Sequence, residues 1–520
     1  MSINQDDSDS AVLARLGYQQ QLKRRMGAFT NFAISFSIIS VLAGPITSYY
    51  IGFSYGGPVM MAWGWPLVSL MCVIVALGIA ELASAMPTAG GLYFWACRMA
   101  SPRWGWFTGW FNIVGLVGAV AAVGYGFSLT FTSLLVLLWP GAFSATTGTL
   151  YAVYAIAIIA MGAVNYFDIR VVALTNNISA WWHIIGTAVI VVALVVVPDH
   201  HQSASYVFTK TINASGFGGH HWSQPMFWFV LGLGLLQAQY TIGGFDASAH
   251  MSEETNNAAR AAARGVWTSV FWSGVGGWIL LLAITFAIPN TQDTLNAGAF
   301  DVQYIWSTAL GSRWAEALLL IASVAQFLCC NAVVTASSRV VWALSRDRAT
   351  PASHLWTRLN KFQVPFNAVA VIVGINLLLM LPTFWNATIG YLIATAVVVI
   401  GLYLAYAFVI LLRFRLGDEF ETGPWNLGRW YKVVDLVSIV WIGLVCLLFI
   451  SPTTPAGIPF HHDFSWNSFN YTLLAVAGAL LLFGGWWVLS ARHWFKGPVP
   501  DIDPATRAAA EAAGPEGVPT

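Results

Sequence analysis

The sequence predicts an all-α integral membrane protein with about twelve transmembrane helices. Hydrophobic residues make up 58% of the 520 residues and charged residues only 9%, whereas a soluble protein carries about 25% charged residues. Apolar runs of about 20 residues recur along the chain, and each run is long enough to cross a hydrocarbon core of about 30 Å. Residues 1–22 are polar and acidic, so we find no secretory signal ahead of the first run.

The apolar runs divide into two sets of five and a final pair. The predicted spans of the first set are 29–53, 60–85, 105–138, 149–166 and 174–197. Those of the second set are 226–250, 265–289, 313–345, 364–384 and 387–412, and the final pair is 434–452 and 468–490. We expect one membrane domain over 23–492, with disordered cytoplasmic tails at 1–22 and 493–520.

The distribution of basic residues predicts the orientation. With a cytoplasmic N-terminus, twelve spans leave 21 of the 23 lysines and arginines inside, and only Lys210 and Arg313 lie outside. Cytoplasmic loops carry an excess of Lys and Arg. The sequence therefore predicts a multi-pass protein of the plasma (inner) membrane with both termini in the cytoplasm.

Several classes of site are not indicated. The five cysteines show no CxxC spacing, so disulfides and a zinc site are not expected. Two histidine pairs, His200–His201 and His220–His221, lie in the outer loop 198–225 and are interpreted as solvated rather than metal-binding. The spans carry no HExxH or Ser/His pair, and no nucleotide-binding loop is present. We therefore expect neither an enzyme nor a cofactor, metal or nucleic-acid partner.

Two spans contain residues that interrupt a helix at mid-membrane. The first span carries Ser40-Val-Leu-Ala-Gly44-Pro45, and the sixth carries Thr241-Ile-Gly-Gly-Phe-Asp246. Proline removes a backbone donor and glycine relaxes the chain. Either interruption alone would be an ordinary kink, but interrupted helices at matching positions of two halves are typical of a transporter site. The freed backbone groups must be satisfied, and a polar solute in a cavity satisfies them.

Three ionisable residues in the predicted spans are candidates for function, because such residues are costly in a membrane. Asp246 follows the second interruption; it either attracts a substrate ammonium or forms a gating contact, or it caps the following half-helix. Glu81, near the inner end of the second span, is expected to be structural or gating. His183, in the fifth span, is either a hydrogen-bonded packing residue or a proton carrier near neutral pH.

Aromatic side chains complete the predicted site. Phe245 and Tyr125 are candidate lids that also offer cation–π contact to an amine. The predicted substrate-binding residues are Ser40, Leu42, Ala43, Gly44, Tyr125, Thr241, Ile242, Gly243, Gly244, Phe245 and Asp246.

Three motifs resemble those of the amino acid–polyamine–organocation superfamily. The segment Gly78-Ile-Ala-Glu-Leu-Ala-Ser-Ala-Met-Pro-Thr-Ala-Gly-Gly-Leu-Tyr-Phe-Trp95 is similar to its second-helix signature. The segment Phe245-Asp-Ala-Ser-Ala-His-Met-Ser-Glu-Glu254 resembles the sixth-helix signature of the amino acid/choline branch, which includes GABA permeases. Ser338-Arg339 and the following Ser345-Arg-Asp347 are similar to the end of the eighth helix in that branch.

The resemblance implies a LeuT-type fold, with repeats of opposite orientation at about 29–197 and 226–412 and two extra helices at about 434–490. It also implies that the backbone at Ala43-Gly44 receives a substrate carboxylate, and that the carbonyls at Ile242 and Gly243 receive the amine. His183 falls close to the position of a lysine in related proton-coupled members. Sodium-coupled relatives use a hydroxyl pair in the middle of the eighth helix, where this chain has Gln326-Phe-Leu-Cys-Cys-Asn331, which disfavours sodium.

These observations favour a secondary active transporter for 4-aminobutyrate or a similar zwitterion, driven by protons or by exchange. Alternating access would move spans 1, 2, 6 and 7 against the rest. The segment 252–264 would then form an inner gate, with Glu253 and Glu254 paired with cytoplasmic arginines. A choline or polyamine permease and a nutrient sensor with a transporter fold remain as alternatives. The first span lacks an acidic residue to balance an organic cation, which favours the zwitterion. The expected partners are the solute, membrane lipid and a coupling proton.

Overall fold

The computed structural model describes residues 5–167, 169–219, 221–384 and 387–502, and over these ranges the chain is almost wholly helical, without an extended strand. Eleven helical segments within these ranges are long and apolar enough to cross a membrane. The sixth predicted span, 226–250, is not one of them because it is divided into three short helices. The predicted all-α, multi-span fold is confirmed.

The first five spans are built from helices α2 to α9. The first span comprises α2, α3 and α4, and a π-helical turn at Met60–Gly64 leads into α5. The short helices α1, α6 and α10 flank the spans. The bounds are α1 Gln5–Arg15, α2 Ala28–Ile39, α3 Gly44–Thr47, α4 Tyr49–Gly56, α5 Trp65–Ala85, α6 Gly91–Met99, α7 Pro102–Leu138, α8 Thr147–Val164, α9 Ile169–Val196 and α10 Ala204–Thr209.

The remaining spans begin with the divided sixth span, which comprises α11, α12 and α13. The later spans are α14, α17, α19, α20, α21 and α22, the last extended by a π-helical turn into α23. The bounds are α11 Pro225–Gly234, α12 Leu236–Thr241, α13 Ala247–His250, α14 Ala258–Phe286, α15 Thr291–Ala297, α16 Asp301–Leu310, α17 Ser312–Arg346, α18 Ser353–Trp356, α19 Phe366–Leu379, α20 Ala387–Leu416, α21 Tyr431–Phe449, α22 Thr472–Trp486 and α23 Arg492–Trp494.

Two spans begin earlier than the sequence predicts. Helix α9 begins at Ile169 rather than at 174, and α14 begins at Ala258 rather than at 265. Both early turns carry arginine, which the hydropathy pattern assigns to a loop. Helical hydrogen bonding continues past the membrane edge because alanine and arginine are good helix formers.

The chain termini differ from the predicted disordered tails. Residues 5–15 form α1, and the side chains of Leu13, Tyr18 and Leu22 are buried. The Asp501 backbone N–H donates to the carbonyl oxygen of Gly17 (3.1 Å), so the two terminal segments lie on the same side of the molecule. Residues 1–22 are polar on average, so their composition did not indicate that a few apolar side chains among them are buried against the rest of the protein. The predicted C-terminal tail beyond residue 502 lies outside the described residues.

The burial of each span positions the site. Of the apolar 18-residue stretch of α7, 83% is buried inside the protein. The corresponding share for the twelfth span is only 6%, so that span lies at the periphery. Outward-facing apolar side chains such as Ile156, Leu447 and Leu481 are exposed on the outer spans, as lipid contact requires. Helix α7 packs against both α17 and α20.

Candidate substrate-binding site

The first span is interrupted at the predicted residues. Helix α2 ends at Ile39, Ser40 adopts a left-handed conformation with φ of 44°, and helix resumes at Gly44, with Pro45 in its first turn. The Ser40 hydroxyl oxygen accepts the Ala43 backbone N–H at 3.0 Å. The N–H groups of residues 41 and 42 have no hydrogen-bond partner among the described residues. These two successive N–H groups lie in the turn before α3, and successive free backbone N–H groups attract negative charge.

The sixth span is interrupted opposite the first. Helix α12 ends at Thr241, and Gly244 adopts a φ of 76° before α13 begins. A methyl group on Gly44 would approach the Thr241 Cβ to 2.8 Å, and one on Gly244 would approach Ile38 Cγ2 to 2.6 Å. Both distances are shorter than van der Waals contact. The two interruptions therefore touch, and glycine is required on each side of the contact.

A small cavity of about 20 Å³, enough for about one water molecule, lies beside this contact. Of the predicted substrate-binding residues, Ala43, Gly44, Thr241, Gly243 and Gly244 line it. The rest of its wall was not predicted and is almost wholly apolar; it consists of Ile38, Ile39, Leu116, Ala119, Val123, Tyr240, Cys329, Val333, Val398 and Leu402. No charged side chain is present among these lining residues.

The other predicted substrate-binding residues are buried close by but do not line this cavity. They are Ser40, Leu42, Tyr125, Ile242, Phe245 and Asp246. The Ile242 carbonyl oxygen accepts the Tyr403 hydroxyl at 2.6 Å, so one of its two lone pairs is already used. The Phe245 ring packs on Tyr406, with centroids 4.9 Å apart, rather than over the cavity.

Asp246 forms a hydrogen-bonded network and makes no side-chain cap to α13. Its Oδ1 accepts the Tyr406 hydroxyl at 2.6 Å, and its Oδ2 accepts the Asn112 side-chain amide at 3.1 Å. The Nε2 atom of His250 lies 2.9 Å from the same Oδ2. Asp246 thus ties the sixth span to α7 and α20. Because it is fully partnered and away from the cavity wall, its geometry supports the gating interpretation over direct attraction of a substrate.

Polar side chains without partners lie near the cavity and were not predicted as a group. Among the described residues, neither amide atom of Gln326 has a hydrogen-bond partner, and the Tyr125 hydroxyl also lacks one. Gln326 lies one helical turn from the cavity residue Cys329 on α17. Buried polar groups without partners are costly, so these side chains are available to a polar solute.

His183 hydrogen-bonds to the first interruption. Its Nδ1 lies 2.7 Å from the Ser179 carbonyl oxygen, which can only accept, so Nδ1 carries the proton. Its Nε2 lies 2.6 Å from the Ser40 hydroxyl, which already accepts the Ala43 N–H. A neutral imidazole therefore satisfies both contacts, with Ser40 donating to Nε2. This geometry supports the packing interpretation of His183.

The predicted inner-gate acids form buried ion pairs with α17. The Glu253 carboxylate lies 3.2 Å from Arg346, and the Glu254 carboxylate lies 2.9 Å from Arg339. Glu253 also accepts the Ala89 backbone N–H at 3.0 Å. The expected pairing with arginine is therefore present, and it joins the sixth span, the eighth span and the segment after the second span.

The N-terminal segment covers these ion pairs. The Tyr18 hydroxyl donates to Asp347 Oδ2 at 2.9 Å, and the Arg346 guanidinium lies 3.7 Å from the centre of the Tyr18 ring. Asp347 also accepts the Val499 backbone N–H at 2.9 Å. Burial raises the pKa of Asp347 to about 6, although Arg346 and these hydrogen bonds oppose the change.

A third ion pair lies at the inner end of α5. Glu81 accepts a hydrogen bond from the Arg413 guanidinium at 2.8 Å and from the Leu427 backbone N–H at 3.1 Å. This arrangement agrees with a structural or gating role rather than substrate contact. Asp435 lies within the predicted span 434–452 but was not among the predicted functional candidates. It is fully buried, and neither of its carboxylate oxygens has a hydrogen-bond partner among the described residues.

Comparison with known proteins identifies the family. A family model described as amino acid permease matches residues 26–480. The chain belongs to the amino acid permease family. It is 36% identical over 517 residues to the amino-acid permease BAT1 homolog of Oryza sativa subsp. japonica, covering 96% of each protein. It is 34% identical to the amino-acid permease BAT1 of Arabidopsis thaliana over 95% of this chain and 97% of that protein.

A GABA-specific permease of Saccharomyces cerevisiae is also similar to this permease. The two are 28% identical over 95% of this chain and 86% of the yeast protein. The resemblance to the amino acid–polyamine–organocation superfamily is confirmed, and the permease is a multi-pass membrane transporter of that superfamily.

Proposed function

We propose that this permease is a secondary active transporter of 4-aminobutyrate or a similar small zwitterion, driven by protons or by exchange. The observation that carries the proposal is the contact between the two interrupted helices beside an uncharged cavity. The N–H groups of residues 41 and 42, in the turn before α3, have no partner among the described residues and are suited to a carboxylate. Gly243, two residues after the end of α12, lines the same cavity, and a backbone carbonyl there is suited to an ammonium group.

The cavity wall favours a zwitterion over an organic cation. Its lining residues include no carboxylate, and Tyr240 is the aromatic residue among them. A quaternary ammonium ion would enter without a counter-charge and without an aromatic cage. A zwitterion brings its own counter-charge, and its two ends match the two kinds of exposed backbone group. The name of the yeast relative, a GABA-specific permease, supports the same substrate class.

The ion pairs and terminal segments support an inner gate. We propose that spans 1, 2, 6 and 7 move against the rest in a LeuT-type arrangement, and that Glu253, Glu254 and Glu81 hold the inner side closed through their arginine partners. The basic residues assign this side, with both termini, to the cytoplasm. His183 orders Ser40 at the first interruption through its neutral imidazole.

Uptake of radiolabelled 4-aminobutyrate into proteoliposomes tests the proposal. We expect uptake to rise with an inward proton gradient or with internal amino acid, and to be blocked by amino acids but not by choline. Gln326→Leu removes a free amide beside the cavity and should raise KM, whereas Gln292→Leu on the exposed helix α15 should not. Uptake blocked only by choline would establish an organocation permease, and no uptake of any amine would overturn transport.

A further inference from the structure

The imidazole of His250 lies between two hydrogen-bond acceptors. Its Nε2 is 2.9 Å from the Asp246 carboxylate, and its Nδ1 is 3.2 Å from the carbonyl oxygen of Ala89. His250 and Asp246 are fully buried at one helical turn's separation. A carbonyl oxygen cannot donate, so the Nδ1 contact requires a proton on Nδ1. The Nε2 contact then requires a second proton between Nε2 and Asp246.

This requirement distinguishes His250 from His183. The Nε2 of His183 faces the Ser40 hydroxyl, which can donate, so one proton on the ring is sufficient. The Nε2 of His250 faces a carboxylate that already accepts from Asn112 and Tyr406. The Asp246–His250 pair therefore holds one proton more than a carboxylate beside a neutral imidazole. Holding it makes the buried pair neutral overall, and burial favours that state.

We propose that the Asp246–His250 pair is the proton-binding site of this permease, and that the bound proton holds the inner gate closed through Ala89. This inference rests on the proposed proton-driven transport for its coupling role. Both carboxylate oxygens of Asp246 already accept hydrogen bonds, from Tyr406 and Asn112, so we place the proton on the imidazole, as an imidazolium beside a carboxylate.

Ala89 is the residue through which the proton acts. It lies between α5 and α6, and its backbone groups are held by the end of the sixth span and the turn just after it: the carbonyl accepts from His250, and the N–H donates to Glu253. On release, an N–H bond of the imidazolium breaks, the electron pair stays on nitrogen and the proton passes to cytoplasmic water. The remaining N–H can serve only one of the two acceptors. Either the Ala89 contact or the Asp246 contact is then lost.

The groups facing the pair agree with this assignment. Asn112 from α7 and Tyr406 from α20 contact Asp246 and remain uncharged while they donate to it. Glu253 faces the other side of Ala89, and its charge is balanced by Arg346. A second full negative charge at Asp246 would have no cation except the imidazolium. The proton is therefore the counter-charge of this part of the gate.

Nitrogen-15 NMR of the purified permease labelled at histidine tests the protonation state without substrate. We expect an imidazolium signal that disappears in His250→Gln, and a neutral Nδ1-protonated signal that disappears in the matched variant His183→Gln. If the signal lost in His250→Gln is that of a neutral ring at neutral pH, the proposal is overturned. Should His250→Gln fail to fold, Asp246→Asn serves instead, because it removes the need for the second proton and should convert the His250 signal to neutral.

Access to the cavity tests the gate. Cys329 lines the cavity, so its labelling by a thiol reagent from the inner face, followed by mass spectrometry of its peptide, reports opening. We divide its labelling rate by the rate of the same cysteine in unfolded protein at the same pH, which corrects for ionisation of the thiol. We expect this ratio to rise with pH. His250→Gln should abolish this rise, and His354→Gln, at an exposed position of α18, should preserve it. The same pH dependence in both variants would refute the gate. If the unmodified permease shows no proton-driven uptake, only the transport proposal fails. The NMR and labelling experiments do not depend on uptake, because they report the protonation of the Asp246–His250 pair and the opening of the gate.

Discussion

Replacing Gly44 with alanine tests the contact between the interrupted helices. Gly44 begins α3, and its added methyl group would meet the Thr241 side chain, with Cβ atoms only 2.8 Å apart. Neither side chain is long enough to move aside, because both Cβ atoms are fixed by their helices. The half-helices must separate, and the backbone groups at the cavity must separate with them.

The size of the effect follows from the overlap. Forcing one extra methyl group into a packed interior costs about 1–3 kcal/mol. If this cost falls on the substrate-bound arrangement, the affinity drops by about 5- to 150-fold. Thr241→Gly removes the three atoms nearest to the new methyl, so the double variant should recover most of the loss. A residual cost of about 1 kcal/mol is expected, because glycine weakens the end of α12.

Substrate uptake and thermal unfolding in detergent measure the two parts of this effect. Gly44→Ala should raise KM strongly and lower the unfolding temperature. Gly443→Ala is the matched control, because no heavy atom lies within 4 Å of the added methyl in α21. Wild-type KM and stability in Gly44→Ala, or a double variant no better than the single one, would refute the reasoning.

Three further changes test the surrounding network through thermal unfolding at fixed detergent concentration. Arg339→Met leaves the Glu254 carboxylate buried without its partner and should destabilise by about 3–5 kcal/mol, and adding Glu254→Gln should recover most of this loss. Tyr406→Phe removes a 2.6 Å hydrogen bond to the Asp246 carboxylate and should cost about 1.5–3 kcal/mol. Burial raises the pKa of Asp347 from 3.8 to about 6. Between pH 3.8 and about pH 6, the folded state therefore binds more protons than the unfolded state. The free energy of unfolding should therefore fall as pH rises through this range, and Asp347→Asn should remove that slope; an unchanged slope would contradict the assignment.

The interruptions were predictable because their signals are local. Gly44-Pro45 and Gly243-Gly244 break helices whatever lies around them, and both breaks occur where the sequence places them. The spans follow from hydropathy in the same way. The sixth span shows the limit of that signal, because its three short helices together cross the protein although none is long enough alone.

The cavity wall and the partners of the acids were not predictable in this way. Val123, Val398 and Leu402 lie in uniformly apolar helices, where periodicity does not show which side faces the cavity. The partners of Asp246 come from residues 112 and 406, and only the packing of three helices brings them together. Asp435 is different, because an acid inside an apolar run is visible in the sequence itself.

In the proton-driven mechanism proposed above, the absence of a charged side chain from the lining of the cavity limits how the proton can act. A proton held at His250 cannot meet the solute, so it must act through the contacts that hold the helices together. Asp246 lies two residues after Gly244, whose left-handed conformation forms the second interruption. A solute that draws the interruption toward itself shifts the carboxylate that holds the imidazolium. His250 in turn holds Ala89. Substrate binding and inner-gate opening are then linked by one short segment, 244–250, and a single proton sets the strength of that link.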